Sequence, residues 1–141
     1  MFDFDAIYED YMSLSYEEKV SNAIESIGEI SLTLTKLGIN DEDRIRFYLQ
    51  LTALFVAADK EITMEEVNLF NDVFETSFNL AVFQELFQEA DKPEFVEKMD
   101  SIIDKFPEEA KFAACVYGLI FLSIDGNITP KEKAVFEKIL G

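Results

Sequence analysis

The feature that most constrains this chain is an internal repeat with an offset of 66 residues. Residues 54–70 align without gaps on residues 120–136, and each copy reads as an apolar helix, the pattern Asp-x-x-Ile-Thr-x-x-Glu and a second helix. The identical pairs are Phe55/Phe121, Asp59/Asp125, Ile62/Ile128, Thr63/Thr129, Glu66/Glu132 and Phe70/Phe136. A repeated supersecondary unit predicts two helical hairpins, at about 44–75 and 108–140, that pack with pseudo-symmetry.

The rest of the sequence is also typical of helices. Apolar residues recur at helical spacing, and no alternating run is bounded by hairpin turn signals. A short helix is expected at about 5–12, and Ser15 with Glu18 predicts a capping box for a helix that ends near Gly38. The expected buried stripe of that long helix is Val20, Ile24, Ile27, Ile30, Leu34 and Leu37. Later helices are predicted to start at Asn40 or Asp41, Met64, Asn79, Pro93, Pro107 and Pro130.

These elements predict an all-α fold in one domain, residues 1–141. We expect a single compact bundle of about seven to eight helices, since no Gly/Ser-rich or Pro-rich linker divides the chain. Residues 1–40 would form the N-terminal helices and residues 41–141 the repeat region.

Two segments, residues 51–58 and 112–124, are apolar on every side, which predicts that they lie at the centre of the bundle. The uncharged run 112–124 is shorter than the roughly 20 residues that a membrane-spanning helix needs, so a buried helix is favoured. Cys115, within this run, is expected to be a small buried hydrophobe. The four repeated phenylalanines are expected in the core: Phe55, Phe70, Phe121 and Phe136.

Charge excludes several classes of function. The chain has 12 basic and 29 acidic side chains, a net charge of −17, and no His. Nucleic-acid binding depends on clustered Lys and Arg and is therefore not expected. The missing His removes the usual acid–base residue, so we predict a non-catalytic protein. The N-terminus lacks the basic and apolar regions of a secretory signal, which favours a cytoplasmic protein.

Most of the repeated motif is explained by helix capping. Thr63 and Thr129 stand at N-cap positions, and Glu66 and Glu132 stand three residues later, so each pair predicts a capping box.

Asp59 and Asp125 are not explained by capping, because each would face the negative pole at the end of an apolar helix. An Asx turn within the loop is the favoured compensation, and a bound cation is the alternative. An EF-hand is excluded by spacing, since Pro130 and Phe136 occupy the positions of its invariant Gly and bidentate Glu. A metal site would therefore need Asp59 and Asp125 to converge with backbone carbonyls or with Glu61 and Asn127.

The second copy, Asp125-Gly-Asn-Ile-Thr-Pro-Lys-Glu132, resembles the Asp-Gly-x-Ile-x-x-x-Glu hairpin of the tellurite-resistance TerB family and of the TerB-like domain of DjlA-type co-chaperones. The first copy departs from that pattern by carrying Lys60 where Gly is usual. The resemblance covers residues 41–141 and implies a stress-associated, cytoplasmic, non-catalytic binding or adaptor domain. It also implies that a divalent cation, calcium or magnesium, binds at Asp59 and Asp125, with Glu66 and Glu132 second.

A second function stays open beside this one. Residues 1–30 contain eight acidic residues and a single Lys, an excess that could steer a basic protein partner without any metal. The simplest interpretation of such a cluster is a solvated face.

Overall fold

The computed structural model describes residues 4–56, 62–90, 92–124 and 130–140. Within these ranges the chain contains eight helices and no strand, which confirms the all-α prediction. Over the same residues, no helix is both long enough and apolar enough to cross a membrane. The helices are α1 (Phe4–Met12), α2 (Tyr16–Lys36), α3 (Asp41–Val56), α4 (Met64–Phe74), α5 (Leu80–Ala90), α6 (Pro93–Ile103), α7 (Glu108–Leu122) and α8 (Pro130–Leu140).

The predicted capping residues start their helices. The amide of Glu18 donates to Ser15 Oγ at 3.2 Å, and Ser15 N donates to Glu18 Oε1 at 3.0 Å, so the capping box of α2 is confirmed. Asn79 Oδ1 accepts from Val82 N at 3.1 Å at the start of α5. Gly38 follows α2 with φ +84°, a conformation that glycine adopts without strain.

Helix α7 forms the centre of the bundle and packs most extensively on α2, with α1, α3 and α8 also against it. Residues 113–123 are all buried, which confirms the prediction for this segment apart from its ends, because Phe112 is 46% exposed and Ile124 is half-buried. In α3, residues 51–56 are buried or half-buried, and residues 57–58 lie outside the described part of the chain. Cys115 is buried, and burial raises the pKa of its thiol to about 12, in agreement with a hydrophobic role.

The repeated phenylalanines lie in the core, as predicted: Phe55, Phe70 and Phe121 are 0% exposed and Phe136 is 1% exposed. The rings of Phe55 and Phe136 have centroids 4.8 Å apart, and those of Phe70 and Phe121 are 6.5 Å apart. Each of these two ring contacts joins one segment of the repeat to the other.

The predicted buried stripe of α2 is wrong at two positions. Ile24 is 50% exposed and Leu37 is 37% exposed. The physical reason is the geometry of the helix: at 3.6 residues per turn Ile24 lies about 120° around α2 from the buried Ile30, and Leu37 follows the last turn as the C-cap. The buried residues of α2 are Lys19, Ala23, Ser26, Ile30, Thr33 and Leu34.

Candidate functional site

The residues predicted to bind a cation divide into two groups. Asp59, Glu61, Asp125 and Asn127 lie outside the described residues, so their place in a shared site stays a prediction. The two glutamates of the set are described: Glu66 is the third residue of α4 and Glu132 is the third residue of α8.

Glu66 is 1% exposed and acts as a capping residue. Its Oε1 accepts from Thr63 N at 2.9 Å and from Thr63 Oγ1 at 3.1 Å, while Glu66 N donates to Thr63 Oγ1 at 3.3 Å. This confirms the capping box predicted for the first copy of the repeat. The positive pole of α4 also stabilises a carboxylate at this position.

Glu132 occupies the equivalent position of the second copy and is 2% exposed. Its predicted capping partner, Thr129, lies outside the described residues, so the second capping box is untested. Both repeats therefore bury a glutamate in the first turn of their second helix. This is unusual, because glutamate side chains in proteins are mostly exposed.

The described residues do not assemble a metal site. Among them, no group of three or more His, Cys, Asp or Glu side chains is placed to hold an ion. Calcium takes six to eight oxygen ligands and magnesium six. Glu66 supplies one carboxylate whose Oε1 already serves the helix cap, so a cation there would also need ligands from outside the described residues.

Lys19 is a candidate functional residue that the sequence reasoning missed. It is 7% exposed, and its Nζ donates to the carbonyl oxygen of Ser123 at 3.3 Å. Burial lowers the pKa of this ammonium group. Ser123 is the C-cap of α7, and it precedes Asp125 by two residues in the sequence. Lys19 therefore places a positive charge at the negative pole of α7, where a cation was expected to offset the negative charge of Asp125. The sequence carried one signal that could have identified Lys19: it is a lone Lys in an otherwise acidic segment, on the inner face of the predicted helix.

A polar groove of about 570 Å³ lies beside Lys19, between α2 and α4. The hydroxyl of Tyr16 donates to Asp72 Oδ2 across it. Burial, with a smaller contribution from this hydrogen bond, raises the pKa of Tyr16 to about 12. A phenol with this pKa stays protonated near neutral pH and acts as a hydrogen-bond donor, not as a base. The groove is lined by Tyr16, Lys19, Glu65, Asn68, Asn71, Asp72 and Ile124.

The acidic residues of α1 and α2 lie on the surface, and we refer to them together as the acidic surface. Lys19, the basic residue of this segment, is buried, so its charge is directed into the bundle. Burial raises the pKa of Tyr11 in α1, and the nearby charges of Asp10 in α1 and Glu25 in α2 raise it further. Asp5 also forms an ion pair with Lys133 of α8 at 3.2 Å. The acidic surface comprises the exposed residues Asp5, Glu9, Asp10, Glu17, Glu18, Glu25 and Glu29.

The geometry thus offers a buried glutamate in each repeat, of which Glu66 is part of a capping box, an internal ammonium at the end of α7 and an acidic surface on α1 and α2. The first two have structural roles within the bundle, whereas the third is open to a partner. No protein-family model, curated protein or solved structure matches this chain.

Proposed function

We propose that this chain is a non-catalytic, TerB-like binding or adaptor domain of the cytoplasm, associated with stress responses, and that it recognises a basic protein partner through the acidic surface. The observation that carries this proposal is the distribution of charge in residues 4–30. All seven described carboxylates of this segment are exposed, while Lys19 is 7% exposed.

The TerB-like, pseudo-symmetric arrangement is supported by the reciprocal contacts of the repeated phenylalanines. Phe55 of the first copy contacts Phe136 of the second, and Phe121 of the second copy lies near Phe70 of the first. Under a two-fold relation between the hairpins, each of these pairs is the equivalent of the other. The matching burial of Glu66 and Glu132 is consistent with the same relation.

A surface of one charge sign acts mainly on the rate and selectivity of association. It attracts an oppositely charged partner over a distance of about 8 Å at physiological ionic strength and repels acidic competitors. Apart from Glu18, which completes the capping box of α2, these acidic side chains are solvent-exposed and contribute little to the stability of the fold, so they are available for this role.

The proposal is tested by fluorescence anisotropy with a labelled oligolysine of about 20 residues, measured over a series of salt concentrations. One variant carries Glu→Gln at Glu9, Glu17, Glu25 and Glu29. The matched control carries the same number of Glu→Gln changes at exposed positions elsewhere, namely Glu85, Glu97, Glu109 and Glu137. We expect the first variant to bind more weakly than the control, although the two have the same net charge. Equal affinities would show that net charge alone attracts the probe and would refute a defined acidic surface.

A divalent cation at the hairpins is the second candidate function. It is favoured by the pair of buried glutamates, Glu66 and Glu132, each of which follows a candidate Asp by seven residues in the sequence. Lys19 weakens it for the second hairpin, because an ammonium group already lies at the carboxyl end of α7.

This second candidate is tested by calorimetric titration with calcium and with magnesium, followed by backbone NMR. A cation site predicts binding heat that is lost in Asp125→Asn or in Asp59→Asn. If the parent chain gives no binding heat, no cation binds at these residues. The same conclusion follows if Asp125→Asn and Asp59→Asn both titrate like the parent.

A further inference from the structure

Helix α2 presents an uncharged stripe at the centre of its solvent-facing side. Five exposed residues at helical spacing form it, and we call them the α2 stripe: Ser21, Ile24, Gly28, Leu32 and Thr35. At the carboxyl end of the stripe, the guanidinium of Arg44 donates to Thr35 Oγ1. Ile24 is 50% exposed and Leu32 is 62% exposed, so two large apolar side chains lie in water on this helix. At 1.5 Å per residue the stripe is about 21 Å long. This length corresponds to the contact face of a helix of about four turns.

Gly28 lies in the middle of the stripe and leaves a gap between Ile24 and Leu32. Apart from its two chain neighbours and the surrounding backbone of α2, no heavy atom lies within 4 Å of the position that a Cβ of residue 28 would occupy. A glycine inside a helix lowers stability by roughly 0.5–1 kcal/mol relative to alanine. Packing within the chain does not explain this residue, but a gap of this kind allows the backbone of a docking element to approach α2 closely.

A row of carboxylates borders one side of the stripe. Glu18, Glu25 and Glu29 are exposed and follow one another at spacings of seven and four residues, which places them on the same side of the helix. Lys36, seven residues after Glu29, ends this side of α2. This row belongs to the acidic surface described above. An apolar strip with acidic side chains along one edge is complementary to an amphipathic helix with basic residues beside its apolar face.

The charge distribution also selects between a partner and a second copy of this chain. Two copies packed through α2 would be related by a two-fold axis, and each copy would bring its own Glu25 and Glu29 to the contact. Like charges at such a contact are repulsive, and the net charge of −17 on each chain adds to the repulsion. A basic partner is attracted by the same charges.

We propose that the α2 stripe is the docking site of a basic amphipathic helix of a partner protein. Ile24 and Leu32 would contact the apolar face of that helix, which would pass over Gly28, while Glu25 and Glu29 would pair with its Lys or Arg residues. This inference rests on the proposed function, because the partner's positive charge is what the acidic surface selects.

The test uses a fluorescein-labelled peptide of Leu and Lys, about 18 residues long, with leucines at helical spacing on one face. A peptide of the same composition in scrambled order serves as the control for charge. The chain is tested as the parent, as Ile24→Ser/Leu32→Ser and as Glu25→Gln/Glu29→Gln. Met64→Ser is the matched control, because Met64 is 49% exposed on a different helix.

We expect the amphipathic peptide to bind the parent more tightly than the scrambled peptide does. We expect Ile24→Ser/Leu32→Ser to weaken this binding by about tenfold, because both apolar side chains at the centre of the contact are lost, and Met64→Ser to leave it unchanged. Backbone NMR shifts caused by the peptide should be concentrated between residues 18 and 36.

The other outcomes separate the two proposals. If Glu25→Gln/Glu29→Gln weakens binding and Ile24→Ser/Leu32→Ser does not, the docking stripe is refuted while the acidic surface stands. If neither variant differs from the parent, both proposals fail. If sedimentation shows that the parent dimerises and that Ile24→Ser/Leu32→Ser is a monomer, the stripe binds a second copy and the proposed occupant is wrong.

Discussion

Replacement of Gly118 by alanine probes the centre of the bundle with a single methyl group. Gly118 lies in α7, and a Cβ there would be 2.6 Å from Cγ and 2.7 Å from Cδ1 and Cδ2 of Phe55. Phe55 is itself 0% exposed and its ring contacts that of Phe136, so it has no open space to move into. The extra methyl therefore overfills the contact between α3 and α7.

Overpacking of a core contact costs about 1–3 kcal/mol, and the close distances to three ring atoms make a value toward the upper end the expected result for Gly118→Ala. The matched control is Gly28→Ala on α2, where nothing lies within 4 Å of the new Cβ. There the only effect is helix propensity, which favours alanine by about 1 kcal/mol. The two substitutions are chemically identical, and the structure predicts effects of opposite sign on the free energy of unfolding.

The assay is urea denaturation followed by circular dichroism at the helix band, with thermal melts as a second measurement. A double-mutant cycle with Phe55→Leu isolates the contact, because a smaller side chain at residue 55 should make Gly118→Ala less damaging. If Gly118→Ala stabilises the chain as Gly28→Ala does, or if the cycle shows no coupling, then Phe55 does not pack on Gly118 and the described centre of the bundle is wrong.

Three further predictions concern single side chains. Phe121→Ala should lower the free energy of unfolding by about 3–5 kcal/mol, because the Phe121 ring is 0% exposed and its centroid lies 4.8 Å from the centroid of the Tyr117 ring. A thermal melt equal to that of the parent would contradict this. Thr63→Ala should lower the free energy of unfolding by about 1 kcal/mol through loss of the α4 cap, whereas Thr63→Ser, which keeps the hydroxyl, should retain most of the stability. If urea denaturation shows equal losses of stability for the two variants, the hydroxyl is not the cause. Tyr16 has its folded pKa raised from 10.0 to about 12, so the stabilisation by its neutral hydroxyl is complete below pH 10 and is lost as the pH rises toward 12. Stability measured between pH 9 and pH 12 should therefore fall more steeply in the parent than in Tyr16→Phe, and parallel curves would refute the contribution of this hydroxyl.

Local sequence chemistry was sufficient to predict where the helices begin. Ser15 and Thr63 with their glutamates, and Asn79 by its side-chain oxygen, satisfy backbone donors within three residues, so the information is contained in a few neighbouring positions. The apolar run in α7 likewise predicted the central helix, because a helix without a polar face has no stable position at the surface.

The inner face of α2 could not be predicted in the same way. Ile24 fits an apolar spacing, yet the face of α2 that is buried contains Ala23 and Ser26, and it is selected by packing against distant parts of the chain, above all α7. Lys19 was missed for a related reason: its partner is the carbonyl of Ser123, 104 residues away, and such a contact has no local signal. The predicted cation site depends on residues 57–61 and 125–129, which lie outside the described part of the chain, so neither its distances nor its ligands follow from the described helices.

The central claim, that this chain binds a basic partner through the acidic surface of α1 and α2, is tested most directly by a backbone NMR titration with the oligolysine probe. The account predicts shift changes concentrated between residues 5 and 29, with the amides of Glu25 and Glu29 among the most affected and with the effect weakened by added salt. Shift changes spread evenly over all exposed carboxylates, or centred on α5 and α6, would contradict it.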